Sequence, residues 1–297
     1  MDPGLSTPPL IGIIGGSGLY DIDGLANTRW ARVPSPFGEA SDELLFGELN
    51  GIQMVFLSRH GRGHRIPPTE INFRANIDVL KRAGVTDVIS ISAVGSLRED
   101  LTPGMFVIVD QFIDRTISRE KSFFGTGMVA HVSMAHPVCG RLGHHLEESA
   151  REAGIEFVRG GTYLVMEGPQ FSSQAESEMY RSWNCDVIGM TNMPEAKLAR
   201  EAEMCYATVA MVTDFDCWHP THDAVEVSVL LEVMEENRGR AQRLFGRLAR
   251  DFPAEHTPCP VGSDRALEGA ILTRPEARDP ELVEKLRTIA GRVLGRG

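Results

Sequence analysis

The chain has 297 residues, 42% of them hydrophobic and 24% charged, enough for one large α/β domain or two smaller ones with a sizeable core. Its 41 acidic and 30 basic residues give a formal net charge of −11, which argues against a nucleic-acid or anionic-membrane partner. Any site for an anion must therefore concentrate positive charge or hydrogen-bond donors locally.

Apolar strand-like runs alternate with helical periodicity, the pattern of an α/β layer fold. Leu10–Ile14 reads as a first strand ending in the turn Gly15-Gly16-Ser17-Gly18. Glycines there let backbone N–H groups approach an anion, and the Ser17 hydroxyl adds a donor; a plain tight turn fits as well. The dinucleotide fingerprint fails, because its third glycine would fall on Asp21, and no Gly-Lys-Ser/Thr follows to make a P-loop. Glu43–Glu48 and Gln53–Ser58 flank Asn50-Gly51, a strong hairpin signal. The second run leads into Ser58-Arg59-His60-Gly61-Arg62-Gly63-His64-Arg65, the densest positive cluster in the chain. Arginine's planar fork suits phosphate oxygens, and a solvated basic loop is the alternative.

Thr69–Ala83 carries Phe73, Ile77 and Leu80 on one face and stops at Gly84, as a helix with its C-cap. Val85–Ala93 and Met105–Phe112 read as strands, the first running into Ser92-Ala93-Val94-Gly95-Ser96, small residues that let backbone approach a ligand. Pro137–Ala153 is predicted helical. Gly160–Met166, Cys185–Met190 and Cys205–Val212 are later core strands, with helices near 173–183 and 194–203 between them. Two strand-to-helix junctions stand out. Met166-Glu167-Gly168-Pro169-Gln170-Phe171-Ser172-Ser173 puts hydroxyls at the expected cap. In Met190-Thr191-Asn192-Met193-Pro194-Glu195 the threonine serves either as cap or as anion donor.

The run 207–218 ends in Thr213-Asp214-Phe215-Asp216-Cys217-Trp218. Residues two apart on a strand face the same side, so Asp214 and Asp216 share one place at a strand's carboxyl end, where open α/β sheets put their crevices. Two close carboxylates push one pKa up, so that one carries a proton and acts as an acid. A solvated Asp-x-Asp turn is the plain alternative. Val225–Arg250 is a long amphipathic helix. The stretch 251–262 holds three prolines and reads as a surface crossing. Asp279-Pro280 then starts a short amphipathic helix lined by Leu282, Leu286, Ile289 and Val293. The division expected is one domain over 1–262 and a C-terminal tail over 263–297.

No apolar run approaches ~18 residues, and the first residues lack a basic segment followed by an apolar one, so a cytoplasmic protein without a membrane partner is expected. The five cysteines are scattered and lack a C-x-x-C pair, which predicts free thiols and no metal site. The histidines, His131 included, lack metal-ligand spacing.

The segments Ile13–Leu19, Arg59–Gly61, Glu167–Phe171, Met190–Glu195 and Ala210–Trp218, in that order over about residues 10–250, resemble the trimeric purine nucleoside phosphorylases. The resemblance implies a single α/β domain with a central mixed, twisted sheet flanked by helices. It also implies a homotrimer, phosphate-dependent cleavage of an N-glycosidic bond, and inorganic phosphate as co-substrate with no other cofactor. It puts phosphate on Ser17, Arg59, His60, Ser92, Ala93 and Thr191, with Ser17 keeping the hydroxyl of the threonine usual in the family. It puts Met190 against the ribose, Phe171 against the base, and His131 across the subunit interface.

Relatives that cleave 6-oxopurines carry Asn and Glu where this chain has Asp214 and Ser172, an inventory that suits adenine. Asp214, Asp216 and His60 are the expected catalytic groups. Asp214 shares a proton with purine N7, and Asp216 reads the 6-amino group. Val225, Val227 and Leu231 match an apolar pocket for a 5′-methylthio group. The expected reaction is cleavage of 5′-methylthioadenosine to adenine and 5-methylthioribose 1-phosphate, in purine and methionine salvage. Rival readings are a 6-oxopurine, methylthioinosine or adenosine phosphorylase, a nucleosidase, and a nucleotide-binding scaffold. Residues after about 262 fall outside the resemblance.

Overall fold

Buried apolar strands laid side by side build one mixed sheet of eleven strands, with helices against both faces. The coordinates are a computed structural model that describes residues 8–16, 18–220 and 227–295, without the side chains of 227–230. In chain order the strands are β1 (Ile11–Gly15), β2 (Ala26–Ala31), β3 (Leu44–Leu49), β4 (Ile52–Ser58), β5 (Asp87–Ser96) and β6 (Phe106–Ile108). Then come β7 (Gln111–Asp114), β8 (Phe157–Arg159), β9 (Thr162–Val165), β10 (Val187–Gly189) and β11 (Cys205–Asp214). The helices are α1 (Phe73–Ala83), α2 (Gly140–Glu152), α3 (Gln174–Ser182), α4 (Asn192–Glu201), α5 (Val227–Asp251), α6 (Pro280–Lys285) and α7 (Arg287–Leu294).

The centre is parallel: β4, β1, β5 and β11 run the same way. Both faces of these strands are covered, so they read as continuous apolar runs rather than as an alternation. Along β5, Val88 packs with α1 and α4, whereas Ile89 and Ile91 pack with α2 and α5. The helix ends are set by local chemistry. Asn72 caps α1, its side chain accepting from Ala75 N, and Gly84 closes it at φ +93°. Ser173 and Glu176 form a capping box on α3; such caps contribute about 1 kcal/mol each.

One edge of β5 is shared by two strands. Its first half pairs with β1, from Ile11↔Asp87 to Ile14↔Ser90, and its end pairs with antiparallel β10 at Gly95 and Ser96. Between them, from Ile91 to Val94, this edge has no strand partner, and the sheet forks.

The structure departs from expectation in several places. The hairpin is present, but β2 was not foreseen, because Ala26–Ala31 is polar and exposed. Met105–Phe112 divides into β6 and β7, which join different strands. Thr69–Ala83 becomes a 3-10 turn followed by α1. The predicted terminal helix breaks at Leu286 into α6 and α7, and Leu286, Ile289 and Ala290 are buried in the same core as α1 and α4. The cysteines are less scattered than their spacing implies, since Cys139, Cys205 and Cys259 meet with sulfur atoms within 4.8 Å of one another. Among the described residues no helix is long and apolar enough to cross a membrane.

Candidate active site

A cavity of about 570 Å³ opens at the fork in the sheet. Gly16 and Gly18 after β1, the end of β4, the unpartnered stretch of β5, the exits of β9, β10 and β11, and one face of α5 enclose it. It is of a size that holds a small organic ligand and buries most of it.

Arg59 follows β4, its N–H bonded to Gly15 O at 2.9 Å. Its side chain is buried and bidentate on Glu195, with Nε 2.8 Å and Nη2 3.1 Å from the carboxylate oxygens. Nη2 also donates to Ser90 Oγ at 2.6 Å, and Nη1 donates to Ile91 O at 2.9 Å. The guanidinium has five N–H groups, and these bonds leave one, on Nη1, for a ligand. Glu195 accepts from Tyr206 as well, and Asn192 joins Ser90 to Tyr206, so the pair sits in a polar network beneath the cavity. The expected basic cluster disperses. Arg62 turns outward onto Asp42 and Glu43, Arg65 bonds Ser41 O, and only Arg59, His60 and His64 reach the cavity. The partners that draw them away, two acids for Arg62 and a carbonyl for Arg65, lie outside the motif and are invisible in it.

His60 Nδ1 lies 2.8 Å from Ile66 O. A carbonyl only accepts, so Nδ1 carries the hydrogen and Nε2 keeps a lone pair. Burial pushes this imidazole down to about 4, and the Arg59 charge acts in the same direction. His60 is thus neutral near pH 7, and His64 stacks on it with ring centroids 4.2 Å apart.

Ser92 Oγ bonds to Tyr163 Oη and to Thr191 Oγ1, each at 2.9 Å. Thr191 precedes α4 without capping it, so its hydroxyl is free for this chain. Because Ile91 O faces the open edge of β5, alternation along the strand turns the Ala93 N–H to the same edge. Gly189 lets Tyr163 in, since a Cβ there would lie 2.1 Å from the phenol oxygen. These donors, with Gly16 and Gly18, give one end of the cavity a lining that suits an anion.

The other end holds the two acids. β11 has a bulge between Val212 and Asp214, a device common beside active sites. Asp214 accepts from Asp216 N at 2.8 Å and from Thr213 Oγ1 at 2.7 Å. Asp216 is buried, at φ +53°, and one of its carboxylate oxygens has no partner. Strand alternation is therefore not what brings the acids together, because β11 ends at Asp214 and a left-handed residue turns Asp216 back. Burial raises the Asp216 pKa, Asp214 adds to the rise, and neighbouring hydroxyls oppose it.

Two further groups were missed in the sequence. Arg119, nearly buried, donates to Met190 O and Met193 O at 2.7 Å and to Glu167 O at 2.7 Å, joining the exits of β9 and β10. Glu167 in turn accepts from Ile117 N, Ser118 N and Thr69 Oγ1. A charged residue in an unremarkable loop gives no signal of such a tie. The second group, Tyr163, was visible only as a tyrosine in a core strand, where its hydroxyl needs a partner.

Phe171, Met190 and Leu231 line the cavity, with Met234, Glu235 and Arg238 beside Leu231 on α5. Ser172 does not line it; its hydroxyl faces Met166 Sδ at 3.7 Å. Ser17 and Val225 lie outside the described residues, as does the side chain of Val227. His131 is not with the others and lines a second cavity with Lys121, Lys197 and Glu201.

Residues 10–250 match the phosphorylase superfamily. An S-methyl-5′-thioadenosine phosphorylase from Bradyrhizobium diazoefficiens is 62% identical over 288 residues, covering 97% of this chain and 99% of the relative. That coverage takes in most of the segment after residue 262, which the motifs had left without a counterpart. The solved structure of a methylthioadenosine phosphorylase from an antarctic soil metagenomic library has a TM-score of 0.87 at 45% identity, covering 95% of this chain and 99% of that one. A methylthioadenosine phosphorylase from Schistosoma mansoni in complex with adenine has a TM-score of 0.81 at 35% identity, covering 89% and 99%.

Proposed function

The chain belongs to the phosphorylase superfamily, and on that premise we propose that it cleaves 5′-methylthioadenosine with inorganic phosphate, giving adenine and 5-methylthioribose 1-phosphate. The observation that carries this reading is one cavity with an anion-binding end at the fork of the sheet and a two-carboxylate end at the exit of β11. The fold and the similar proteins support the same reaction.

Phosphate lies against Ser92, the Ala93 N–H, Thr191, Ser17 and the remaining N–H of Arg59. Its own O–H, or a proton taken up on binding, meets Nε2 of His60. A phosphate oxygen bonds to C1′ as the C1′–N9 bond breaks, and the bond's electron pair passes into the purine. The proton shared by Asp214 and Asp216 goes to N7, and the ionised partner accepts from the 6-amino group. Burial favours Asp216 as holder of the proton before the base arrives; Asp214, the more accessible of the two, takes that proton from Asp216 and delivers it to N7, which leaves Asp216 ionised to accept from the 6-amino group. General-acid help of this kind contributes roughly 10²–10⁴-fold. The reaction so drawn calls for no metal or organic cofactor.

Phe171 covers the base, Met190 the ribose, and Leu231 with Val225 and Val227 the methylthio group. His131 serves a neighbouring subunit's site in a homotrimer. The enzyme works in the cytoplasm in purine and methionine salvage. The test is adenine release from 5′-methylthioadenosine with and without phosphate. Release that needs phosphate and yields a sugar 1-phosphate supports the reading. Release without phosphate means a nucleosidase, and turnover of methylthioinosine or inosine alone refutes the assignment of the acids.

A further inference from the structure

We propose that Cys139, Cys205 and Cys259 form a binding site for one thiophilic metal ion of the Zn²⁺ class, at the end of the sheet remote from the nucleoside cavity. Three separate stretches of chain deliver them. Cys139 is the N-cap residue of α2, Cys205 opens β11, and Cys259 sits in the proline-bearing crossing after α5. All three are buried and carry free thiols, with sulfur atoms within 4.8 Å of one another. Metal–sulfur bonds of about 2.3 Å set the sulfurs of a thiolate site roughly 4 Å apart, so shifts of less than about 1 Å complete the geometry.

The surroundings suit thiolates. Three of them around a divalent ion carry one net negative charge, and Arg141, which is also paired with Asp87, donates from Nη2 to Cys205 Sγ at 3.4 Å. Ser263 Oγ, buried and 3.1 Å from Cys259 Sγ, supplies an oxygen next to the cluster. Loading is proton-coupled: three S–H bonds break, three metal–sulfur bonds form, three protons leave to solvent, and no electron is transferred.

The ion's effect falls on stability rather than turnover. Cys205 and Asp214 stand at opposite ends of β11, on the order of 30 Å apart at the usual rise per residue. The metal ties the crossing after α5 to the first residue of β11 and to α2.

The experiment takes the full-length protein, reduced and stripped by a chelator, and titrates it with Cd²⁺, with Zn²⁺ as competitor. A thiolate-to-cadmium band in the ultraviolet saturating at one ion per chain is expected, together with a higher Tm and unchanged adenine release. C217S should behave like wild type, and C259S should weaken binding by on the order of tenfold or more. Should C259S fail to fold, native mass spectrometry of the wild type reads the same question, since one ion should be retained at pH 7.5 and lost on acidification. No saturable band, an undiminished band in C259S, or a disulfide joining two of the three sulfurs in protein purified without reductant would overturn the proposal.

Discussion

Replacing Glu195 by glutamine keeps its volume and removes its charge. The structure makes the consequence calculable in outline. Arg59 and Glu195 are 2% and 1% exposed, so neither charge has water to fall back on. Glu195 receives two N–H bonds from Arg59 and the Tyr206 hydroxyl. The glutamine oxygen satisfies one of these donors while its NH₂ turns toward another. Leaving a buried guanidinium without its counter-ion costs about 3–5 kcal/mol, against a total stability on the order of 5–15 kcal/mol. At roughly 2–4 °C per kcal/mol for a chain of this size, the Tm should fall by about 6–20 °C. Phosphate binding should change in the opposite sense, because Arg59 then presents an uncompensated charge at the anion end. Phosphate should therefore raise the Tm of E195Q more than that of wild type. Thermal unfolding with and without phosphate checks both, with R59M/E195L recovering much of the stability but not the phosphate effect. An E195Q protein melting within about 2 °C of wild type, with the same phosphate response, would refute the argument.

D214N should lower adenine release by about 10²–10⁴-fold while shifting preference toward 6-oxopurine nucleosides, read as the kcat/KM ratio for methylthioadenosine over methylthioinosine; an unchanged ratio rejects the role given to Asp214. The pH dependence of stability should carry two opposed contributions. His60 titrates near 6.5 when unfolded but is pushed down to about 4 in the fold, so its contribution is present above 6.5 and is lost as pH falls toward 4. Glu201, whose carboxyl burial pushes up to about 7, contributes below 4.5 and loses that contribution as pH rises to 7. Urea titrations from pH 4 to 7.5 should show H60N lacking the first slope and E201Q the second. G189A should push Tyr163 off Ser92, costing about 1–3 kcal/mol and raising the KM for phosphate; a crystal structure of the variant with Tyr163 unmoved would contradict this.

Much of the frame was legible in the sequence because the strands that build the cavity end in readable turns. Gly15–Gly18 and Ser92–Ser96 were singled out on small residues at strand ends and Met190–Glu195 as a strand-to-helix junction, and the fold gathers residues of all three around one space. What stayed hidden was the pairing of charges across the chain. Arg59 and Glu195 are 136 residues apart, and no periodicity announces that one will neutralise the other. Arg119 escaped for the same reason, because its partners are the distant Glu167 carboxylate and main-chain carbonyls, which every residue has. The acids were found for a partly wrong reason, since two-residue alternation does not extend past Asp214. β2 was lost because an exposed edge strand has no buried face to pattern it.

The fork in the sheet divides the vulnerability of the two substrates unequally. Under the proposed reading the anion end is made mostly of side chains, with one peptide group, the Ala93 N–H on the open edge of β5, which substitution of a side chain does not delete. At the opposite end every described group proposed to read the base or the 5′ group is a side chain, on a loop, on α5 or, for Asp214, at the last position of β11. Mutational drift can therefore retune which nucleoside enters while that one anion donor stays in place. Laboratory selection on this scaffold should accordingly yield new base and 5′ preferences more readily than the loss of that backbone donor.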